Sequence, residues 1–139
     1  MALDSARHRV SGSVKLTFTP SPENIIISTD TLRLQQQLTN LLTNAAKFTQ
    51  QGEINLSYRL EPEGNKVRIA VTDTGCGIPL EKQKDVFKRF EKLDDYKPGA
   101  GLGLSICSII ADRLGGTIFV DSEYVDGARF VLVYPCEVV

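Results

Sequence analysis

Residues 54–73 read INLSYRLEPEGNKVRIAVTD. Ile54, Leu56, Tyr58 and Leu60 alternate with polar residues, Glu61-Pro-Glu-Gly-Asn65 turns the chain, and Val67, Ile69 and Val71 alternate again. Successive strand side chains point to opposite faces, so this pattern predicts a β-hairpin with one buried face whose second strand runs straight into Asp73. Upstream, Asp30 stands as a helix N-cap before Leu34, Leu38, Leu41, Leu42, Ala45 and Phe48. Their spacing predicts an amphipathic helix that ends near Gln51-Gly52. Downstream, 101–114 predicts a second helix with Leu104, Ile109, Ile110 and Leu114 on its apolar side, stopped by Gly115-Gly116. Short strands are expected at 14–18 and 24–27, on either side of Pro20-Ser21-Pro22, and at about 117–121 and 128–134; one or two short helices are expected within 79–94. Helices grouped among antiparallel hairpins, without strict strand-helix alternation, argue for an α+β two-layer sandwich.

With 139 residues, 42% hydrophobic and 24% charged, the chain fits one compact domain, 13–139, preceded by a polar stretch, 1–12, read as a leader or the remnant of an upstream segment. A net charge of −1 gives no general electrostatic attraction to a nucleic-acid backbone, so no nucleic-acid partner is expected. No apolar stretch approaches the roughly 20 residues that span a bilayer, and no direct membrane contact is expected. Cys76, Cys107 and Cys136 are too widely spaced for a zinc knuckle or a CxxC motif. They read as reduced thiols of a cytosolic protein.

Three clusters carry chemistry. Asn40 and Asn44 lie four residues apart, and Lys47 three further on, so all three share one side of the first helix. A neutral amide oxygen suits Mg²⁺, a hard cation that keeps several waters and shares phosphate ligands. Asp73 enters Thr74-Gly75-Cys76-Gly77-Ile78-Pro79, where the glycines permit a sharp turn and a close backbone approach to a ligand. Gly99, Gly101 and Gly103 precede a helix whose N–H groups can receive phosphate oxygens, although the Gly-Lys-Ser/Thr ending of a Walker A loop is missing. Between them, Val86-Phe87-Lys88-Arg89-Phe90-Glu91-Lys92 presents an aromatic pair with flanking charges.

In this order and spacing, Asn40-Leu-Leu-Thr-Asn44-Ala-Ala-Lys47, Asp73-Thr-Gly75-Cys-Gly77, Phe87/Phe90 and Gly99-Ala-Gly101-Leu-Gly103-Leu make the chain resemble, over 30–135, the ATP-binding catalytic domain of sensor histidine kinases. That domain is a branch of the family named for gyrase, heat-shock chaperone, histidine kinase and mismatch-repair ATPases. The resemblance implies a Bergerat fold: a mixed, mostly antiparallel sheet covered by three helices on one face, with the nucleotide between helices and a lid at about 94–98. It implies ATP and Mg²⁺ as cofactors, Asn44 as the magnesium ligand, and Asn40 and Lys47 toward the phosphates. Asp73 would specify adenine, with Gly75, Gly77, Ile78, Gly99, Gly101, Leu102, Gly103 and Leu104 completing the nucleotide site. Lys92 stands where many members carry an arginine that touches the γ-phosphate. A lysine supplies the charge but not the planar fork, so Lys88, Arg89 and Lys97 are alternatives. Ala128 stands where Ser or Thr is common.

ATP-hydrolysing relatives carry a glutamate four residues before the magnesium-binding asparagine; Asn40 stands there, and an amide cannot deprotonate water. Phosphoryl transfer to a protein acceptor is therefore expected. The one histidine, His8 in Ala6-Arg7-His8-Arg9-Val10, does not match the family's acceptor motif. The acceptor is expected on a separate histidine-containing dimerisation domain, with a response regulator receiver domain as a further partner and the cytoplasm as the location. The alternatives are an ATPase-type conformational switch, a serine-kinase relative, and a nucleotide-binding module without kinase activity.

Overall fold

The computed structural model describes residues 14–88 and 102–139. The expectations for 1–12 and for 89–101, which include the lid, Arg89, Phe90, Lys92, Lys97, Gly99 and Gly101, lie outside the described residues. In chain order the elements are β1 (Val14–Thr19), β2 (Ile25–Ile26), α1 (Thr31–Phe48), β3 (Gly52–Leu60), β4 (Lys66–Asp73), a 3₁₀ turn (Leu80–Asp85), α2 (Leu102–Arg113), β5 (Thr117–Val120), β6 (Ala128–Pro135) and β7 (Glu137–Val138).

The expected hairpin is β3-β4, closed by Glu61 N–H donating to the Lys66 carbonyl at 2.8 Å and Gly64 N–H to the Glu61 carbonyl at 2.9 Å. It forms the middle of a five-stranded sheet in the order β1-β3-β4-β6-β5. Only the β1-β3 pair is parallel. Register aligns the apolar rows: Ile54, Leu56, Tyr58 and Leu60 lie opposite Asp73, Val71, Ile69 and Val67, which in turn face Ala128, Phe130, Leu132 and Tyr134 of β6. This one face packs into the core with Leu41, Leu42 and Ala45 of α1 and Leu104 and Cys107 of α2. The result is a two-layer α+β sandwich with its described helices on one side of the sheet.

Asp30 caps α1 as expected: its Oδ1 accepts from Leu32 N–H at 3.1 Å and Arg33 N–H at 3.2 Å, satisfying donors left free by the first turn. The helix stops at Phe48, before the expected Gln51-Gly52, because Thr49 is already extended and Gly52 opens β3. In α2 the buried side is Leu104, Cys107, Ile110 and Ala111, while Ile109 is 53% exposed. At 3.6 residues per turn Ile109 lies roughly 140° around the helix from Leu104, so its apolar character alone misplaced it. Past the end of α2, Gly115 takes φ 77°. Gly115 N–H donates to the Asp112 carbonyl and Gly116 N–H to the Ala111 carbonyl, a Schellman stop.

One further detail differs from the sequence reading. The strand expected at 24–27 shrinks to Ile25–Ile26 and pairs with β7, which was not foreseen; a two-residue strand has no alternation to read. Within 79–88 the described residues form one short helix, the 3₁₀ helix Leu80–Asp85, as expected. With α1 and α2 it makes three helices among the described residues.

Candidate functional site

Asp73 is the last residue of β4 and only 2% exposed, in line with Ile54 and Ala128 on the buried face. A carboxylate there must recover its lost hydration from the protein. Its Oδ1 accepts from Gly75 N–H at 2.9 Å and Ala128 N–H at 3.2 Å. Burial pushes the Asp73 carboxyl above its ordinary pKa, and the two backbone donors pull it part of the way back. No hydrogen bond to Oδ2 occurs among the described residues, and Asp73 lines a cleft with Asn44, Phe48, Gly77, Ile78, Ala128 and Phe130.

The backbone around the carboxylate is close-packed. A Cβ on Gly75 would lie 2.3 Å from the Phe48 carbonyl oxygen, and one on Gly127 would lie 2.0 Å from the Asp73 carbonyl oxygen. Neither position admits a side chain. The glycine loop is seated on the end of α1, where Cys76 N–H donates to the Phe48 carbonyl at 3.4 Å. From the β5-β6 loop, the Tyr124 hydroxyl donates to the Asp73 carbonyl at 3.0 Å, and the Arg129 guanidinium lies over the Tyr124 ring at 4.4 Å. The Thr49 hydroxyl is buried beside Gly75 and has no hydrogen-bond partner among the described residues.

On α1, Asn44 and Phe48, one turn apart, both line the cleft. No protein group among the described residues bonds the Asn44 amide. Asn40 points elsewhere: its Nδ2 donates to the Gly103 carbonyl of α2 at 3.4 Å. Lys47 is exposed in the last turn of α1. The structure thus gathers Asn44, Asp73, Gly77 and Ile78 around one cleft, sets Gly75 directly behind it, and joins Asn40 to Gly103. Leu104 is buried in the core. Phe87 packs edge-to-face on Phe130 of β6, with ring centroids 6.0 Å apart, and Lys88 is paired with Asp85 at 2.8 Å. Phe48, Thr49, Tyr124 and Phe130 were missed as site residues. Phe48 and Phe130 read only as apolar periodicity, and Tyr124 meets Asp73 from 51 residues away with no local signal.

The cleft encloses only about 10 Å³, far below the roughly 300–1,000 Å³ of ordinary small-molecule sites. Two of its walls, the Phe48 and Ile78 side chains, are only half-buried. A larger groove of about 580 Å³ lies on the opposite face of the sheet, lined by Asn55, Ser57, Arg68, Thr72, Tyr124 and Arg129 among others. Size favours that groove, but chemistry does not: Arg68 and Arg129 are both engaged by Asp121, at 3.8 and 3.3 Å. Of the thiols, Cys107 is buried and pushed up to about 12, which leaves it protonated and unreactive.

Because its pKa is raised on folding, Asp73 adds most to stability below its unfolded-state pKa, and that contribution is lost as pH rises through the folded value. Asp73→Asn keeps an Oδ1 acceptor for both backbone donors and removes the titration. Urea unfolding of both proteins across the acidic range should show wild type losing stability relative to Asp73→Asn as pH rises, with a plateau above the folded pKa. A flat difference would mean that the carboxylate is adequately solvated.

Comparison with known proteins identifies the family and the fold. The model of the histidine kinase-, DNA gyrase B- and HSP90-like ATPase family matches residues 29–138. The aerobic respiration control sensor protein ArcB of Escherichia coli strain K12 is 39% identical over 118 residues, covering 81% of this chain and 15% of ArcB. The autoinducer 2 sensor kinase/phosphatase LuxQ of Vibrio vulnificus strain YJ016 is 38% identical over 124 residues, 84% of this chain and 14% of LuxQ. The chain therefore spans about one seventh of the length of these relatives. Among solved structures, the mycobacterial sensor histidine kinase MprB superposes with a TM-score of 0.89 at 26% identity, over 99% of this chain and 93% of that one. Full-length ShkA in complex with AMPPNP gives 0.81 at 31% identity, over 99% and 28%. The chain belongs to the histidine kinase-, DNA gyrase B- and HSP90-like ATPase family, and its fold is that of histidine kinase ATP-binding domains.

Proposed function

We propose that the chain is the catalytic ATP-binding domain of a two-component sensor histidine kinase, which transfers the γ-phosphoryl group of Mg·ATP to a histidine on a separate dimerisation domain. The observation that carries this reading is Asp73, with Oδ1 held by two backbone N–H groups and Oδ2 without a donor among the described residues, at a cleft shared with Asn44. Such an acceptor matches an exocyclic amino group, and its fixed position selects adenine over bases that lack a donor there.

Magnesium fits the donors present. No group of His, Cys, Asp and Glu that could hold a metal exists among the described residues, whereas the unpartnered Asn44 amide offers one hard oxygen. That suits an ion whose other ligands are phosphates and water. When bound, the ion neutralises phosphate charge. Asn40 supplies no general base and is itself engaged with α2, which disfavours hydrolysis by activated water. The protein's part is positioning: Asp73 orients the base, Asn44 the metal-bound phosphates, and Lys47 adds charge from the last turn of α1.

The acceptor histidine domain and a response regulator receiver domain are the proposed partners, since His8 is the one histidine in the sequence. The location follows from the substrate: ATP and reduced thiols both belong to the cytoplasm, and the three cysteines are free. No described helix is long and apolar enough to cross a membrane.

Asp73→Asn should weaken ATP-analogue binding at least about tenfold in calorimetric titration, from loss of a hydrogen bond to a charged acceptor; unchanged affinity removes Asp73 from the base site. Asn44→Ala should reduce nucleotide affinity much more in the presence of Mg²⁺ than in its absence, and equal losses would make Asn44 structural. The chain by itself should bind Mg·ATP without labelling itself. When the dimerisation domain is added in trans, label from γ-³²P-ATP should appear on that partner as an acid-labile, base-stable phosphohistidine. Label on this chain alone would contradict the assignment.

A further inference from the structure

Gln37 is fully buried, at 0% exposure, on α1. A primary amide in a core is costly unless each of its polar atoms is bonded, and here the bonds span three elements. Tyr134 of β6 donates its hydroxyl to Gln37 Oε1 at 2.5 Å, and Gln37 Nε2 donates to the Cys107 carbonyl of α2 at 2.8 Å. Cys107 Sγ returns a bond to the Gln37 carbonyl at 3.6 Å. Three residues along α1, Asn40 bonds the Gly103 carbonyl, one turn before Cys107 on α2. Two amides one turn apart on α1 therefore grip two carbonyls one turn apart on α2. Tyr134 is itself immobile: it is 1% exposed, and its ring lies against Gly116, where a Cβ would come within 2.4 Å of Cε1.

We infer that Gln37 is a positioning residue for phosphoryl transfer, locking the register of α2 to α1 so that Gly103 and the first turn of α2 stand at a fixed distance from Asn44. Apolar contacts between two helices are non-directional and tolerate a slip. A slip of α2 by one residue turns it by about 100° and breaks both amide-carbonyl bonds together. The bond to Cys107 carries this function, and the Tyr134 hydroxyl serves to satisfy the far end of the amide. The inference rests on the reading of the cleft as an ATP site, with α2 at the phosphates and Asp73 at the base.

The test separates positioning from packing. Replacing both partners of a buried hydrogen bond by apolar groups of similar shape leaves stability nearly unchanged, whereas removing one strands the other. Gln37→Met combined with Tyr134→Phe replaces both partners of the Gln37–Tyr134 bond, and the Cys107 carbonyl keeps its helical partner within α2, so the double variant should unfold in urea close to wild type yet lack the bond to Cys107. Mg·ATP and Mg·ADP affinities and the transfer rate to the histidine domain in trans are then measured for wild type, the double variant and Tyr134→Phe alone. The double variant should hold ADP as wild type does, bind ATP several-fold more weakly, and show kcat down about tenfold, the scale of a sub-ångström to ångström misplacement. Tyr134→Phe, which keeps the bond to Cys107, should match wild type in all three. Equal losses for ATP and ADP, an unchanged kcat in the double variant, or a kcat loss in Tyr134→Phe as large as the double variant's would overturn the inference. If wild type itself binds no ATP, the site reading fails instead.

Discussion

A carboxylate at the end of an otherwise apolar row is the constraint that organises this fold. Asp73 continues the face formed by Val67, Ile69 and Val71, and β3 and β6 bury it on both sides. An ionised group there is tolerated only if backbone donors replace water. The loops at that end of the sheet are arranged to deliver them: Gly75 N–H from the turn that follows, and Ala128 N–H from the neighbouring strand. Both approaches require backbone without side chains, which accounts for Gly75 against the end of α1 and Gly127 against the Asp73 carbonyl. The glycine motif is thus as much a solvation device for one buried charge as a binding loop.

The same economy of polar groups ties the helical layer together. The polar or charged residues buried among the described residues are Gln37, Thr49, Asp73 and Ser105. Gln37 joins α1 to α2 and to β6, Asp73 joins β4 to β6, and Thr49 lies beside Gly75 with its hydroxyl unsatisfied among the described residues. An unpaired buried hydroxyl costs about 1–3 kcal/mol.

The sheet was legible because its rows alternate over many residues: the β3-β4 hairpin, the closing strands and the path into Asp73 follow from period two. The cap at Asp30 and the stop at Gly115 were legible because their chemistry is local. What escaped the reading is what distance in sequence conceals. The pairing of β2 with β7 rests on two residues each, and Tyr124 reaches Asp73 across 51 positions. Gln37 sits among three consecutive glutamines, Gln35, Gln36 and Gln37, and nothing in that run marks the third as buried. Ile109 failed for the opposite reason, since an isoleucine between two helical stripes looks apolar wherever it points. For the site, the motif residues near Asp73 came together as their spacing implied, whereas the aromatic walls of the cleft could be assigned only after α1 and β6 were placed in space.

Asn40 shows how one residue type bears on both architecture and chemistry. A carboxylate at this position would place negative charge 3–4 Å from the Gly103 carbonyl oxygen, which is already electronegative, so it would be repelled from α2 and left free to orient water. The amide instead donates to that carbonyl at 3.4 Å. That donor helps hold two helices in register, in series with Gln37 one turn away. An amide does not accept a proton from water. The substitution that removes a base for hydrolysis therefore also strengthens the helix-helix contact on which acceptor alignment depends. With the acceptor on a separate domain, as we propose, slow water attack and a rigid phosphate-side helix serve the same end.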